Sequence, residues 1–206
     1  MPLCFAAVAL ALLPPSLGLD LPKPNDLERV ATALERVRPS ARDVFNLDGG
    51  AIDPFLANVG RLKVFFFVDT ECPISNRYAP EVRRYCDQFG PQGVDFSLVY
   101  CDADTTADMI RNHMKEFSYH CAGLRDPKHE LARKARVQVT PECAVFTGSG
   151  KLVYHGRIDN RYADFGKVRP DPTRHELQDA IEAALLGRAP ICISMGAVGC
   201  RIPDLP

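Results

Sequence analysis

The sequence predicts an α/β protein, a three-layer α/β/α sandwich in which helices cover both faces of a central mixed sheet. Residues 62–68 form an apolar run without polar alternation, which is typical of a strand buried on both faces, and residues 94–100 form a second core strand. Each run is followed by a segment with helix signals, at residues 73–89 and at residues 105–117. Strands that alternate with helices are typical of this class of fold.

Local turn and capping signals predict the other elements. Asn25 can cap a first helix, which carries an apolar stripe and ends before Pro39. Asp48-Gly49 suits a tight turn after a strand that begins near Phe45. Residues 90–93, Gly-Pro-Gln-Gly, end the 73–89 helix. The remaining expectations are a cap at Thr105 or Thr106, a short helix at 130–136, a hairpin of 142–146 and 152–155, and a last helix from a cap at Thr173 to Gly187.

Length and composition fit one domain with extensions. The 206 residues are 46% hydrophobic and have a formal net charge of -1, which gives no global signal for nucleic acid or an anionic membrane. Residues 3–13 resemble the apolar core of a secretory signal, although a basic start is missing, so we expect a periplasmic or secreted protein without a stable membrane span. The expected parts are a signal peptide at 1–19, a helical extension at 20–42, the main domain at 43–187 and an extended tail at 188–206.

Cys72 is the leading candidate for a reactive residue. It follows the 62–68 strand and opens a helix, where free backbone N–H groups and the helix dipole favour a thiolate. Pro73 fits the first helical position, because an N–H at this position would have no acceptor within the helix. Glu71 acts in the opposite direction, since a nearby negative charge disfavours a thiolate. The pattern predicts a nucleophile, and the alternative is a cysteine retained by packing.

Four motifs occur in the order that a known family has: residues 71–78, 124–127, 139–142 and 156–162. They resemble the redoxin family of peroxiredoxin-like and thioredoxin-like proteins. The resemblance covers residues 45–187 and points to a bacterial peroxiredoxin-like branch of the alkyl hydroperoxide reductase and thiol-specific antioxidant superfamily. It implies a thioredoxin-like fold in which Thr140-Pro141 is a cis proline that faces Cys72 and exposes the Thr140 backbone to a partner strand. The alternative is an ordinary trans proline at a strand edge.

The residues around Cys72 depart from both better-known patterns of this family. Ser75 stands where a thioredoxin has its second cysteine, and a serine cannot form a disulfide. A peroxidatic cysteine would also align with Ser75, and Thr70 lies too close to Cys72 for the peroxiredoxin spacing. Phe66 occupies the place of the buried aspartate of thioredoxins. Two-thiol chemistry therefore needs a cysteine from outside this motif.

The resembled fold also places the loop at 156–172 near Cys72. Arg157 or Arg161 can then stabilise a thiolate, and Asp159 can orient the arginine or assist proton transfer. A surface salt-bridge cluster that only orders the loop is the alternative.

Cys200 is the candidate resolving cysteine. No helix or strand pattern holds the surrounding tail, which is rich in small residues, so we expect a flexible exposed thiol that reaches back to Cys72. The resembled branch often has Val-Gly-Cys near its end. Cys192 is the competitor, and a disordered tail is the alternative. Four further cysteines are expected to be buried and inert: Cys86, Cys101, Cys121 and Cys143.

We expect neither a metal nor a cofactor. Copper-delivery proteins of the resembled fold use two cysteines near the Cys72 position and a histidine near the cis proline, and this chain lacks both the second cysteine and that histidine. His113, His120 and Cys121 match no structural zinc spacing.

The leading hypothesis is an exported thiol-disulfide oxidoreductase that acts on a protein or small-molecule thiol partner through Cys72, with resolution by Cys200 or an external thiol. A thiol peroxidase, in which hydroperoxide oxidises Cys72 to a sulfenic acid, is the second hypothesis. The third is a non-catalytic module that binds a partner protein through Thr140-Pro141 and the loop at 157–162.

Overall fold

An eight-stranded sheet forms the centre of the fold. The computed structural model describes residues 43–190 and 194–203, all within the unit Arg38–Pro206. The strands are β1 (Val44–Asn46), β2 (Ala51–Ile52), β3 (Leu62–Val68), β4 (Val94–Tyr100), β5 (Ala122–Arg125), β6 (Val139–Thr140), β7 (Glu142–Phe146), β8 (Leu152–Gly156), β9 (Tyr162–Asp164), β10 (Lys167–Val168), β11 (Ser194–Met195) and β12 (Cys200–Arg201).

The sheet is mixed, as the sequence predicts. Its strand order is β11-β8-β7-β3-β4-β5-β1-β2. Strands β3, β4 and β5 run parallel, whereas β7 pairs antiparallel with β3. All seven residues of β3 are buried, which confirms it as a central strand. Lys63 is buried within that strand because its ammonium pairs with Asp95 at 2.7 Å.

Helices pack on both faces of this sheet. Alternate side chains of β3 enter two separate apolar clusters: Phe66 packs with Val82 and Leu177, and Phe67 packs with Leu131 on the opposite face. The helices are α1 (Pro73–Arg77), α2 (Ala79–Phe89), α3 (Ala107–Glu116), α4 (Glu130–Ala135) and α5 (Glu176–Leu185). This arrangement confirms the three-layer α/β/α class.

The single helix expected at residues 73–89 is wrong, because the chain breaks at Tyr78. Pro80 explains the break: it has no N–H to donate to the carbonyl four residues earlier, and its ring crowds that carbonyl. Tyr78 therefore closes α1 and opens α2. Helix α1, which begins directly after Cys72, therefore has only five residues.

The cap expected at Thr173 is also wrong, since α5 begins at Glu176 and His175 is its N-cap. The Thr173 N–H and hydroxyl instead bond the Asn160 side chain, both at 2.8 Å, which ties the preceding loop together. At α3, Thr106 is the cap of the two candidates, and its hydroxyl accepts the Met109 N–H.

Some predictions concern residues that the structure does not describe. These are the signal peptide at 1–19, the helical extension at 20–42 with its Asn25 cap, and Cys192. Among the helices of residues 43–190 and 194–203, none combines the length and the hydropathy that a membrane crossing requires.

Phe66→Ala is expected to lower the free energy of unfolding by about 3–5 kcal/mol, because it opens a cavity at the centre of the sheet. Phe66 is fully buried and its ring stacks on that of Phe96 at 6.0 Å. Phe165→Ala is the matched control: its ring is 65% exposed, so the change should stay within about 0.5 kcal/mol. Urea unfolding measures both variants, and equal small losses would contradict the central position of β3.

Candidate active site

Cys72 lies between the end of β3 and the start of α1, and it faces the Thr140-Pro141 peptide. It is the N-cap residue of α1, with extended backbone dihedrals, and only 2% of it is exposed. Its Sγ–H donates to the Thr140 carbonyl at 3.1 Å. The Thr140-Pro141 peptide bond is cis, as the family resemblance implies.

Local hydrogen bonds hold the turn that presents Cys72. Asp69 accepts the Glu71 N–H at 2.7 Å, and Asn76 donates its amide to the Thr70 carbonyl at 3.1 Å. Pro73 takes the first position of α1, as expected. The strand therefore ends in a bonded turn, and the cysteine that follows begins the helix.

A buried histidine supports this turn from the side, and sequence reasoning missed it. His113 Nε2 lies 2.9 Å from Asn76 Oδ1, and its Nδ1 lies 2.9 Å from the Tyr100 hydroxyl. Burial lowers the pKa of His113, so the imidazole stays neutral near neutral pH. His113 and Asn76 lie far apart in the sequence, and no local pattern connects them. Only the packing of α3 against α1 reveals their contact.

The prediction of a flexible exposed tail around Cys200 is wrong, because the tail forms a strand. Strand β12 pairs antiparallel with β6, with Cys200 opposite Thr140, and the Ile202 N–H donates to the Gln138 carbonyl at 3.0 Å. The tail thus occupies the Thr140 backbone edge, which was expected to be open to a partner chain.

Gly199 makes the close approach of the tail possible. A Cβ at this position would lie 2.1 Å from the Thr140 carbonyl oxygen, a distance that no real contact tolerates. Upstream, Gly156 plays the same part, since a Cβ there would lie 2.1 Å from the Met195 carbonyl oxygen where β11 joins β8. Small residues at both contacts let the tail lie directly on the sheet edge.

Burial and hydrogen bonding act on the pKa of Cys72 in opposite directions. Burial alone raises its pKa, and the contact of its Sγ–H with the Thr140 carbonyl also favours the neutral thiol. Hydrogen bonds from the Cys200 thiol, from the Ser75 N–H and hydroxyl, and from the Thr140 hydroxyl stabilise the anion. Ser75 is fully buried, and its hydroxyl has no other partner among the described residues. The donors prevail, so the pKa of Cys72 lies below its ordinary value.

Cys200 has the opposite electrostatic character. Burial and its hydrogen bond to Cys72 raise its pKa to about 12, so it remains a thiol that donates to the Cys72 sulfur. Both residues are free cysteines in the structure. The site therefore contains one thiol with a lowered pKa, hydrogen-bonded to a second thiol with a raised pKa.

The charged residues of the 156–162 loop bond one another and neighbouring elements. Arg157 is paired with Glu176, with its Nε 3.2 Å from Oε1. Asp159, which is 1% exposed, accepts the Tyr78 hydroxyl at 2.6 Å, and Arg161 Nε lies 4.0 Å from its Oδ2. Burial and Asp159 together raise the pKa of Tyr78. The structure thus places these arginines beside carboxylates and connects Asp159 to α1 through Tyr78.

Glu142 is a second residue that sequence reasoning did not single out for the site. It follows Pro141, it is buried, and its Oε2 accepts the N–H groups of Gln138 at 2.8 Å and Val139 at 3.3 Å. Burial raises its pKa. These two hydrogen bonds hold residues 138–142 in a tight turn around the cis peptide. The turn positions the Thr140 carbonyl against Cys72.

The other described cysteines divide into two kinds. Cys101 and Cys143 are fully buried, and burial raises the pKa of both, which fits the expected inert role. Cys86 and Cys121 are half-buried and hydrogen-bonded to each other, so they form a pair that their sequence separation did not indicate.

Comparisons with known proteins agree with this architecture. A family model described as thioredoxin-like matches residues 60–152. Among curated proteins, no sequence matches the chain. The solved structure of an uncharacterized conserved protein from Geobacillus kaustophilus aligns with a TM-score of 0.65 at 21% identity, over 82% of this chain and 94% of its own.

Two further solved structures show the same fold at lower identity. A hypothetical protein from Sinorhizobium meliloti 1021 aligns with a TM-score of 0.64 at 18% identity, over 79% of this chain and 92% of its own. A thiol-disulfide oxidoreductase from Bacteroides fragilis NCTC 9343 aligns with a TM-score of 0.50 at 14% identity, over 58% of this chain and 88% of its own.

The comparisons support the thioredoxin-like class, while the assignment to a peroxiredoxin-like branch stays a prediction. The matched segment runs from the residues before β3 to the start of β8, so it includes both Cys72 and Thr140-Pro141. That segment lies within a mixed three-layer sheet architecture, so the chain has a thioredoxin-like fold.

Proposed function

We propose that this protein is a thiol-disulfide oxidoreductase in which Cys72 is the nucleophile and Cys200 is the resolving cysteine. The observation that supports this is the contact between the two thiols, whose pKa values shift in opposite directions. The thiolate is the attacking species in disulfide exchange, so the residue with the lowered pKa attacks first. The solved relative from Bacteroides fragilis is described as an enzyme of this class.

The first step forms a mixed disulfide. The Cys72 thiolate attacks one sulfur of a partner disulfide, a new S–S bond forms, the partner's S–S bond breaks, and its second sulfur leaves as a thiolate. Cys72 loses its negative charge in this step. Because that charge and its hydrogen bond help to raise the pKa of Cys200, the Cys200 thiol becomes easier to ionise at this moment.

The second step releases the partner. Cys200 passes its proton to the departed partner thiolate and attacks the Cys72 sulfur, which forms a Cys72–Cys200 disulfide and expels the partner's remaining sulfur as a thiolate. The partner disulfide gains two electrons, and the two cysteines lose two. Run in reverse, the same steps oxidise a partner dithiol.

Access to Cys72 depends on the tail. Cys72 is 2% exposed, and β12 covers the Thr140 backbone edge beside it. A partner strand can pair with that edge only after residues 199–201 move away. The tail thus carries the resolving thiol, and its strand β12 occupies the Thr140 edge where a partner strand would pair.

We also propose export from the cytoplasm, which rests on the apolar segment at residues 3–13. An oxidising compartment would provide disulfide-bonded protein partners for Cys72.

Cys200→Ser is expected to make mixed disulfides between Cys72 and protein partners accumulate, because the hydroxyl cannot carry out the second step. Cys86→Ser is the control, since it removes another half-buried thiol and should leave the trapped amount at the wild-type level. Non-reducing gels with peptide mapping measure the adducts. Sulfenic acid at Cys72 after peroxide treatment, without trapped partners, would favour the peroxidase instead, and an inert Cys72 would favour the binding module.

The acidity of Cys72 is expected to depend on the donor at position 200. Two variants keep Cys72 as their sole cysteine and carry either Cys200→Ala or Cys200→Ser. The Cys200→Ala variant should have the higher midpoint of alkylation rate against pH, because its thiolate lacks a hydrogen bond from position 200. Cys200→Ser, which retains an O–H donor, should give a midpoint below that of Cys200→Ala. Identical midpoints in the two variants would show that position 200 does not donate to Cys72.

Gly199→Ala is expected to slow formation of the Cys72–Cys200 disulfide, because the new Cβ collides with the Thr140 carbonyl and displaces β12. Gly196→Ala is the matched control in the same tail: its Cβ would meet nothing within 4 Å, so its oxidation rate should equal that of the wild type. Oxidation by oxidised glutathione, followed by peptide mapping, measures both. Equal rates in the two variants would argue against a resolving role that depends on this close approach.

A further inference from the structure

Three side chains with metal-ligand chemistry converge beside α2. Glu81 lies in the first turn of α2, Asp159 in the loop after β8, and His175 immediately before α5. One ligand atom from each of the three lies within 4.8 Å of the others. Residues so far apart in sequence meet only because the loop and the two helices pack together.

Two atoms of this cluster are buried without a hydrogen-bond partner in the described part of the chain. They are Asp159 Oδ2 and His175 Nδ1. Asp159 is 1% exposed, and the nearest cationic atom to its Oδ2 is Arg161 Nε at 4.0 Å, which is beyond hydrogen-bond range. Leaving such groups unpaired costs about 1–3 kcal/mol each, so native structures rarely retain them without a reason.

We propose that Glu81, Asp159 and His175 bind a divalent transition-metal ion of the Zn²⁺ type. One imidazole nitrogen and two carboxylate oxygens form a donor set that suits this class, and three protein ligands leave a fourth position open. The ion would give Asp159 Oδ2 a direct partner in place of the missing hydrogen bond. The proposal is independent of the thiol chemistry proposed for Cys72 and Cys200.

The distances suit a site that contracts slightly around an ion. Bond lengths of about 2.0–2.1 Å place the donors of a tetrahedral site about 3.4 Å apart, so each ligand must move inward by an ångström or so. Glu81 and His175 are only half-buried, which leaves their side chains room for this movement. Glu81 already bonds Arg84 Nε through Oε1 at 3.1 Å, so Oε2 is the oxygen available to the ion.

The buried ligand is already oriented by its neighbours. Asp159 Oδ1 accepts the Tyr78 hydroxyl at 2.6 Å and the Arg161 N–H at 2.8 Å. These two bonds hold the carboxylate so that Oδ2 is left for the cluster, which is the usual role of residues behind a metal ligand.

Cobalt binding tests the proposal, because Co²⁺ reports its ligands by absorption. The full chain with Cys72→Ser and Cys200→Ser is expected to bind one equivalent of Co²⁺ without a thiolate-to-cobalt charge-transfer band, and Zn²⁺ should displace it. Adding His175→Ala should weaken binding by about tenfold or more. Adding His120→Ala, which removes an exposed histidine outside the cluster, should leave the affinity unchanged.

Glu81→Gln provides a second test that serves if His175→Ala does not fold. It keeps the size of the side chain, and it should also weaken Co²⁺ binding. Absence of binding, a charge-transfer band from thiolates, or equal affinity in the His175 and His120 variants would overturn the proposal.

Discussion

The close contact between the tail and the Thr140 backbone is the constraint on which the candidate site depends. Gly199 lies where any larger residue would collide with the Thr140 carbonyl, and the pairing that follows places Cys200 opposite Thr140. That same carbonyl accepts from Cys72, so the Thr140 peptide group lies next to both Cys72 and the tail. Without this pairing, Cys72 would lose the Cys200 hydrogen bond, which lowers its pKa more than any other hydrogen bond at the site.

The state of Cys72 results from a competition between burial and hydrogen bonding. Burying a charged group costs several kcal/mol, whereas each hydrogen bond to a charged group contributes about 1.5–3 kcal/mol. One donor is therefore too few, and several must act together. Ser75 supplies two of them from the first turn of α1, and Cys200 supplies another from the tail. This explains how a serine at the position of the usual second cysteine can serve the site without forming a disulfide.

The short helix α1 makes these direct contacts more important than the helix dipole. Pro80 ends α1 after five residues, so few peptide dipoles align behind Cys72. Asn76 connects this short helix to His113 and Tyr100, and Tyr78 connects its end to Asp159. Neutral buried partners on one side and a carboxylate on the other thus hold the cysteine turn in place.

Local sequence determined the elements that depend on neighbouring residues: the buried strand at 62–68, the cysteine and proline at a helix start, and a helix cap at Thr105 or Thr106, of which the structure uses Thr106. Motif resemblance added the cis peptide at Thr140-Pro141. The break at Pro80 was readable in principle, because a proline inside a helical pattern interrupts its hydrogen bonds. The tertiary structure alone decided the pairing of the tail with β6, the contact of Asn76 with His113, and the meeting of Glu81, Asp159 and His175. These contacts join residues far apart in the chain, and their geometry depends on how separate elements pack, which no local pattern encodes.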